Sequence, residues 1–266
     1  MVVPGDGVAV STFQYAAPGG HRLLLDLYVP ETVERPAVTL YLHGGGWAAG
    51  TRADHADHRA LALARRGIAV ATADYRLVPS ARFPAQLDDA RAALRWIREH
   101  GAELGLRVDR VGAWGASAGG HLAALLGTAT GDPRDRADAV VAWFAPTDII
   151  DLARRSDLEA RLLPPPRELD LLGVTELDRA DPRGRQASPR WAVHSGAAPF
   201  LFVHGDRDRM VPPDQSAAMH RELGAHGVES TLLLLGDAGH EDAAFHRPFV
   251  LDAVASFLSG TIGAAR

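Results

Sequence analysis

Residues 115–119 read Gly-Ala-Ser-Ala-Gly, with a strand-like apolar run before them and helical periodicity after them. A serine hydroxyl is a weak nucleophile. It becomes useful only where a base can take its proton and donors can hold the oxyanion that its attack creates. Gly115 and Gly119 let a strand turn sharply into a helix, which lifts Ser117 out of a sheet and frees the next backbone N–H, that of Ala118. A helix N-terminus adds partial positive charge at the same spot. The bland reading is a glycine-rich turn, and the strand before and helix after weigh against it.

A second glycine run, His43-Gly44-Gly45-Gly46-Trp47, follows another apolar strand candidate. Consecutive glycines let a backbone approach a substrate closely and turn its N–H groups inward, so Gly45 and Gly46 are expected to complete the oxyanion hole with Ala118. Loss of one such donor typically costs about 3–4 kcal/mol of transition-state stabilisation. Trp47 is expected to wall the substrate pocket. His43 is expected to orient the loop without moving protons, and His121 to serve helix packing.

The acid and base are sought on loops at the same sheet edge. Asp206 and Asp208 follow one strand candidate, and His240 follows the next. Asp208 is assigned to orient the imidazole, with Asp206 forming the turn and capping local N–H groups. Among 12 histidines a lone one means little, but His240 follows the serine and then the aspartate in chain order. In these roles His240 takes the Ser117 proton and returns it to the leaving group, while Asp208 fixes the tautomer and stabilises the imidazolium.

The elements that must position these groups alternate as strand and helix. Strand candidates are 8–15, 23–29, 37–42, 68–73, 108–114, 139–144, 199–203 and 231–235; helix candidates are 55–66, 85–104, 121–126 and 247–258. The first two strands are expected to pair antiparallel at an edge. The rest predicts an α/β fold with a mostly parallel sheet and helices on both faces. Between 145 and 198 the alternation lapses and Pro164-Pro165-Pro166 interrupts short helical pieces, as expected of a lid insertion in a single domain. Trp143 is expected in the core beneath that lid. Asp74, Tyr75 and Asp88 read equally well as a network bracing the glycine loop or as surface caps.

Composition narrows the classes. The 266 residues are 47% apolar and 23% charged, with a formal charge of −5 and no basic stripe, which disfavours nucleic acid as a partner. No cysteine is present, so disulfides and thiolate ligands are excluded. No run reaches the roughly 18 apolar residues of a membrane helix, and the N-terminal segment lacks a leader pattern, so a soluble cytoplasmic protein is expected. His55, His58, Asp54 and Asp57 read as a solvated face and not as a metal site, and no cofactor is called for. The oligomeric state is left open, a homodimer included.

Taken together, HGGGW (43–47), DYRL (74–77), FPAQLDD (83–89), GASAGGHLA (115–123), HGDRDRMVP (204–212) and DAGHED (237–242) resemble the α/β-hydrolase superfamily. Within it they are similar to the BD-FAE group and to the hormone-sensitive-lipase relatives. The resemblance implies the α/β-hydrolase fold and hydrolysis of small to medium carboxylic esters through an acyl-enzyme on Ser117. Arylformamidase, amidase or small-peptidase activity with the same triad is the alternative, and a non-catalytic binding protein is a third reading. Hormone-sensitive-lipase relatives usually carry an N-terminal helical cap; here about twenty residues precede Leu23, which favours the BD-FAE branch and leaves any lid to 145–198. Ala187-Ser188-Pro189 resembles a short motif that precedes the acid-bearing strand in that branch, and Ser188 is expected to be structural and not catalytic.

Overall fold

The computed structural model describes residues 7–154 and 166–263. Its centre is an eight-stranded sheet: β1 Val8–Ala16, β2 Leu23–Pro30, β3 Ala37–Leu42, β4 Ala69–Ala73, β5 Arg107–Ala116, β6 Ala139–Trp143, β7 Phe200–Gly205 and β8 Ser230–Leu235. The order is β1-β2-β4-β3-β5-β6-β7-β8. β1 pairs antiparallel with β2, and β2 antiparallel with β4; all other pairs are parallel. The antiparallel pair at the edge and the parallel remainder agree with the sequence reading.

β3, β4, β6 and β7 are buried at every residue because helices cover both faces. Alternate residues feed two cores. Leu40, Leu42, Ala113, Ala142 and Phe202 pack with helices α2 (Ala85–His100) and α3 (Ala118–Gly127). Tyr41, Trp114, Val141, Trp143 and Val203 face the other way, against α1 (Ala60–Ala64) and the C-terminal helix Pro248–Ile262. In α2 the apolar positions Leu87, Ala90, Leu94 and Ile97 form the buried stripe that their spacing predicts.

Two expectations need correction here. The helix expected at 55–66 shrinks to Ala60–Ala64 because His55 has φ +55° and Leu61 N donates to Ala56 O, one residue beyond helical register. The helix expected to reach 104 ends at His100, where Gly101 packs against Val108 as the chain turns back toward β5. Trp143 lies in the core, as expected, edge-to-face on Trp114 (4.9 Å).

The segment 145–198 contributes short helices at Ile149–Leu152, Arg167–Leu172 and Pro182–Gln186. Pro164 and Pro165 lie outside the described residues. Ile149, Leu171, Leu172 and Ala187 form a third apolar cluster with Trp47 and Ala118, so this segment packs directly on the glycine loop and the start of α3. Its first residues are tied down by Gln215, whose side-chain oxygen accepts from Thr147 N (2.9 Å) and Asp148 N (2.8 Å).

Candidate active site

β5 delivers Ser117 at φ +52° and ψ −119°, a conformation that a non-glycine residue adopts only under constraint, and α3 begins at the next residue. Two features supply the constraint. Ser117 N donates to Trp143 O at 2.9 Å. Gly119 lies so close to the end of β3 that a Cβ there would run into the carbonyl oxygens of Leu42 and His43. The start of α3 and the start of the glycine loop are therefore in backbone contact.

His240 reaches this serine from the far end of the chain. Its Nε2 is 3.0 Å from Ser117 Oγ, and its Nδ1 is 2.7 Å from Asp208 Oδ2. With Nδ1 protonated toward the carboxylate, Nε2 is left to accept the serine hydroxyl proton. The Phe144 ring stands edge-on to the imidazole at 4.7 Å and limits its swing.

Asp208 is buried, and it is held from both sides. Oδ1 accepts from Met210 N and Val211 N, each at 2.9 Å, while His204 Nε2 lies 3.3 Å from Oδ2. Burial alone would raise this carboxyl, but hydrogen bonds from His204, His240 and Val211 N–H outweigh it and hold the group well below the ordinary carboxylate range. The assignment of the cap to Asp206 is corrected: Asp206 is exposed, and Asp208 itself caps the turn. His204, which the sequence reading passed over, donates from Nε2 to Val211 O (2.9 Å) and bonds Ser216 Oγ through Nδ1 (2.7 Å). Its position four residues before Asp208, at a strand end, was the available signal.

The glycine loop flanks Ser117, and a Cβ on Gly44 would lie 3.5 Å from Ser117 Cβ. Gly45 has φ +113°, and its carbonyl accepts from Ala48 N and Ala49 N, both at 3.1 Å. Gly46 follows at φ +58°. Among the described residues no backbone carbonyl accepts from Gly45 N or Gly46 N. Ala118 opens α3, where N–H groups have no partner within the helix.

His43 braces this loop as expected. It is buried, its Nδ1 lies 2.7 Å from Gly44 O, and its ring stacks on Tyr75 at 4.3 Å. Burial pushes its imidazole down, keeping it neutral. The even reading of Asp74, Tyr75 and Asp88 splits. Tyr75 OH donates to His43 O (2.9 Å), and Asp74 accepts from Arg52 N (2.9 Å), so both brace the loop. Asp88 is an exposed partner of Arg91, and the buried carboxylate is its neighbour Asp89, bound by Arg76. The expectation for Trp47 is also corrected. The indole is 2% exposed, inside the cluster with Ala118 and Leu171, and its Nε1–H donates to His121 Nδ1 at 3.2 Å. It supports the loop from behind and does not wall a pocket.

Ser188 is structural, as expected: it accepts from Ile149 N (2.8 Å) and donates to Gly184 O (2.7 Å). Asp54, His55, Asp57 and His58 are all exposed, as the solvated-face reading expects. His58 stacks on His246 at 5.2 Å, and His55 Nε2 lies 3.5 Å from Glu241 Oε1.

The BD-FAE family model matches residues 25–223. Esterase LipC of Mycobacterium tuberculosis is 32% identical over 214 residues, which are 77% of this chain and 53% of that protein. An ethyl acetate hydrolase of Pseudomonas putida is 31% identical over 246 residues, covering 87% of this chain and 75% of its own. This chain thus spans about half the length of LipC, and 61% of the related esterase LipQ from the same organism. A truncated carbohydrate esterase from gut microbiota superposes with a TM-score of 0.82 at 23% identity, covering 98% of this chain and 99% of that one, which is a likeness of fold. With most of its length inside the matched segment and an eight-stranded sheet carrying Ser117 on a strand-to-helix elbow, the chain belongs to the BD-FAE family of α/β-hydrolases.

Proposed function

We propose that the protein is a carboxylic ester hydrolase that works through an acyl-enzyme on Ser117. The observation that carries this reading is the unbroken line from Asp208 Oδ2 through His240 to Ser117 Oγ, 2.7 Å and then 3.0 Å. The names of its relatives, esterase and ethyl acetate hydrolase among them, support an ester as the substrate.

In the first half-reaction His240 Nε2 takes the hydroxyl proton as Oγ bonds the ester carbonyl carbon. The negative charge moves to the carbonyl oxygen, where the N–H groups of Gly45, Gly46 and Ala118 receive it. The carbon–oxygen bond to the alcohol then breaks, and His240 returns the proton to the departing oxygen. In the second half, water gives its proton to His240 and attacks the acyl carbon, and Ser117 leaves reprotonated. Asp208 stays ionised throughout and offsets the charge of the imidazolium.

The test is a p-nitrophenyl acetate, butyrate and octanoate series run beside N-formylkynurenine and an aminopeptidase p-nitroanilide. The esters are expected to turn over fastest, and Ser117→Ala to lose at least about a thousandfold in kcat with an unchanged fold. Preferential turnover of the formamide or anilide would move the assignment to C–N bonds. Full activity in Ser117→Ala would end it.

A further inference from the structure

Arg59 is among the largest fully buried side chains of the protein, with 1% of its surface exposed. Each guanidinium nitrogen has a partner. Nη1 donates to Tyr41 OH (2.6 Å), Nε to His246 Nε2 (3.2 Å) and Nη2 to Glu241 Oε1 (2.9 Å). Its carbon lies 5.4 Å from the centroid of the Trp143 ring. His246 can accept from Nε only while that ring nitrogen is unprotonated. Burial first, and then the charge of Arg59, push His246 down to about 4, so the bond persists at neutral pH.

A buried guanidinium needs an anion, and a carboxylate anywhere in its surroundings would serve. Among the described residues the carboxylate hydrogen-bonded to it is Glu241, the residue that follows His240. Glu241 also has φ +56°, a left-handed conformation that a residue with a Cβ leaves unless something holds it. The loop bearing His240 is thereby pinned, one residue from the imidazole, to a side chain fixed at three further points on β3, on the 3₁₀ turn Ala243–His246 and on β6. Phe144 stands edge-on to the ring, and this ion pair holds the adjoining backbone.

We infer that Arg59, through its ion pair with Glu241, positions the His240 imidazole against Ser117, which makes Arg59 and Glu241 positioning residues of the reaction proposed above. Neither group touches substrate. Their effect falls on the rate of proton transfer and leaves ester binding alone, because a base displaced by a fraction of an ångström still leaves the pocket as it was.

The experiment compares Glu241→Ala, Glu241→Gln and Ser117→Ala in the full chain. It measures kcat and KM on p-nitrophenyl butyrate, the rate of inactivation by a p-nitrophenyl phosphonate, and Tm. Glu241→Ala is expected to lower kcat and the phosphonylation rate together by about tenfold or more, with KM within about twofold. Glu241→Gln, which keeps an oxygen for Arg59, is expected to recover most of that loss. The double variant Arg59→Met with Glu241→Gln removes the buried charge and is expected to keep Tm near the parent while kcat stays low. The inference is overturned if Glu241→Ala keeps kcat within twofold, if KM carries the change, or if the double variant regains full kcat. Failure of the triad itself reads out separately, as turnover and phosphonylation that persist in Ser117→Ala.

Discussion

The indole N–H of Trp47 donates to Nδ1 of His121, and Nε2 of the same imidazole lies 2.6 Å from the carbonyl of Ala187. One buried ring thus joins the glycine loop, the helix that follows Ser117 and the segment 145–198. Because Nδ1 accepts and Nε2 donates, the ring must be neutral, and burial pushes it down to about 4.

That neutrality gives the fold a pH dependence with a definite sign. The folded His121 value of about 4 lies below the ordinary 6.5, so its contribution is complete above pH 6.5. As pH falls, the unfolded chain takes up a proton that the folded chain refuses, and stability is lost until the pH reaches the folded value. Between about pH 7 and about pH 5 this ring alone is expected to remove about 2 kcal/mol. Urea unfolding of the parent and of His121→Gln at both pH values checks it: the variant should be the less stable at pH 7 but have the shallower slope. Parallel slopes would show that His121 is not the titrating group.

Trp47→Phe keeps an aromatic ring in the cluster with Leu171 and removes the donor. The Nδ1 of His121 is then left buried without its partner, at an expected cost of about 1–3 kcal/mol in the urea midpoint analysis. A pocket-wall role would instead show as a changed preference between acetate and octanoate esters at unchanged stability.

Asp208→Asn is expected to lower kcat by about four orders of magnitude, since the amide presents the wrong hydrogen-bonding pattern to the imidazole. Asp206→Asn, at an exposed position, should stay within twofold. Kinetics on p-nitrophenyl butyrate rank the two, and the reverse order would transfer the acid role to Asp206.

The two glycines of the loop should differ. At Gly45 a Cβ would collide with the carbonyl of Ala49, and φ is +113°, so Gly45→Ala must distort the loop and is expected to cost about a hundredfold or more in kcat. At Gly46 the nearest atom to a Cβ is Arg167 Cγ at 3.7 Å, and the smaller strain of φ +58° should leave Gly46→Ala within about tenfold. Equal losses would argue against a distinct conformational demand at Gly45.

Much of this protein is written locally. The run 37–42 has no polar residue except Thr39 because helices cover both its faces, and that burial is visible in one dimension. Gly115 and Gly119 around Ser117 reveal the elbow in the same way, since a strand cannot turn so sharply into a helix with side chains at those places. The chain order of Ser117, Asp208 and His240 likewise pointed to three separate loops, whose side chains the fold brings into hydrogen-bonding succession.

What the chain could not express locally was which neighbour each polar side chain would meet. Asp208 both caps its own turn and holds His240 because β7 and β8 bring their ends together. Trp47 turned inward because Leu171 and Ala187, more than a hundred residues away, closed over it. Glu241 found Arg59 across the sheet edge, from which no spacing or periodicity could be read. Backbone conformation follows from short-range sterics and the pattern of apolar burial, whereas the pairing of buried polar groups is decided by which distant surfaces pack together, and only the folded chain contains that information.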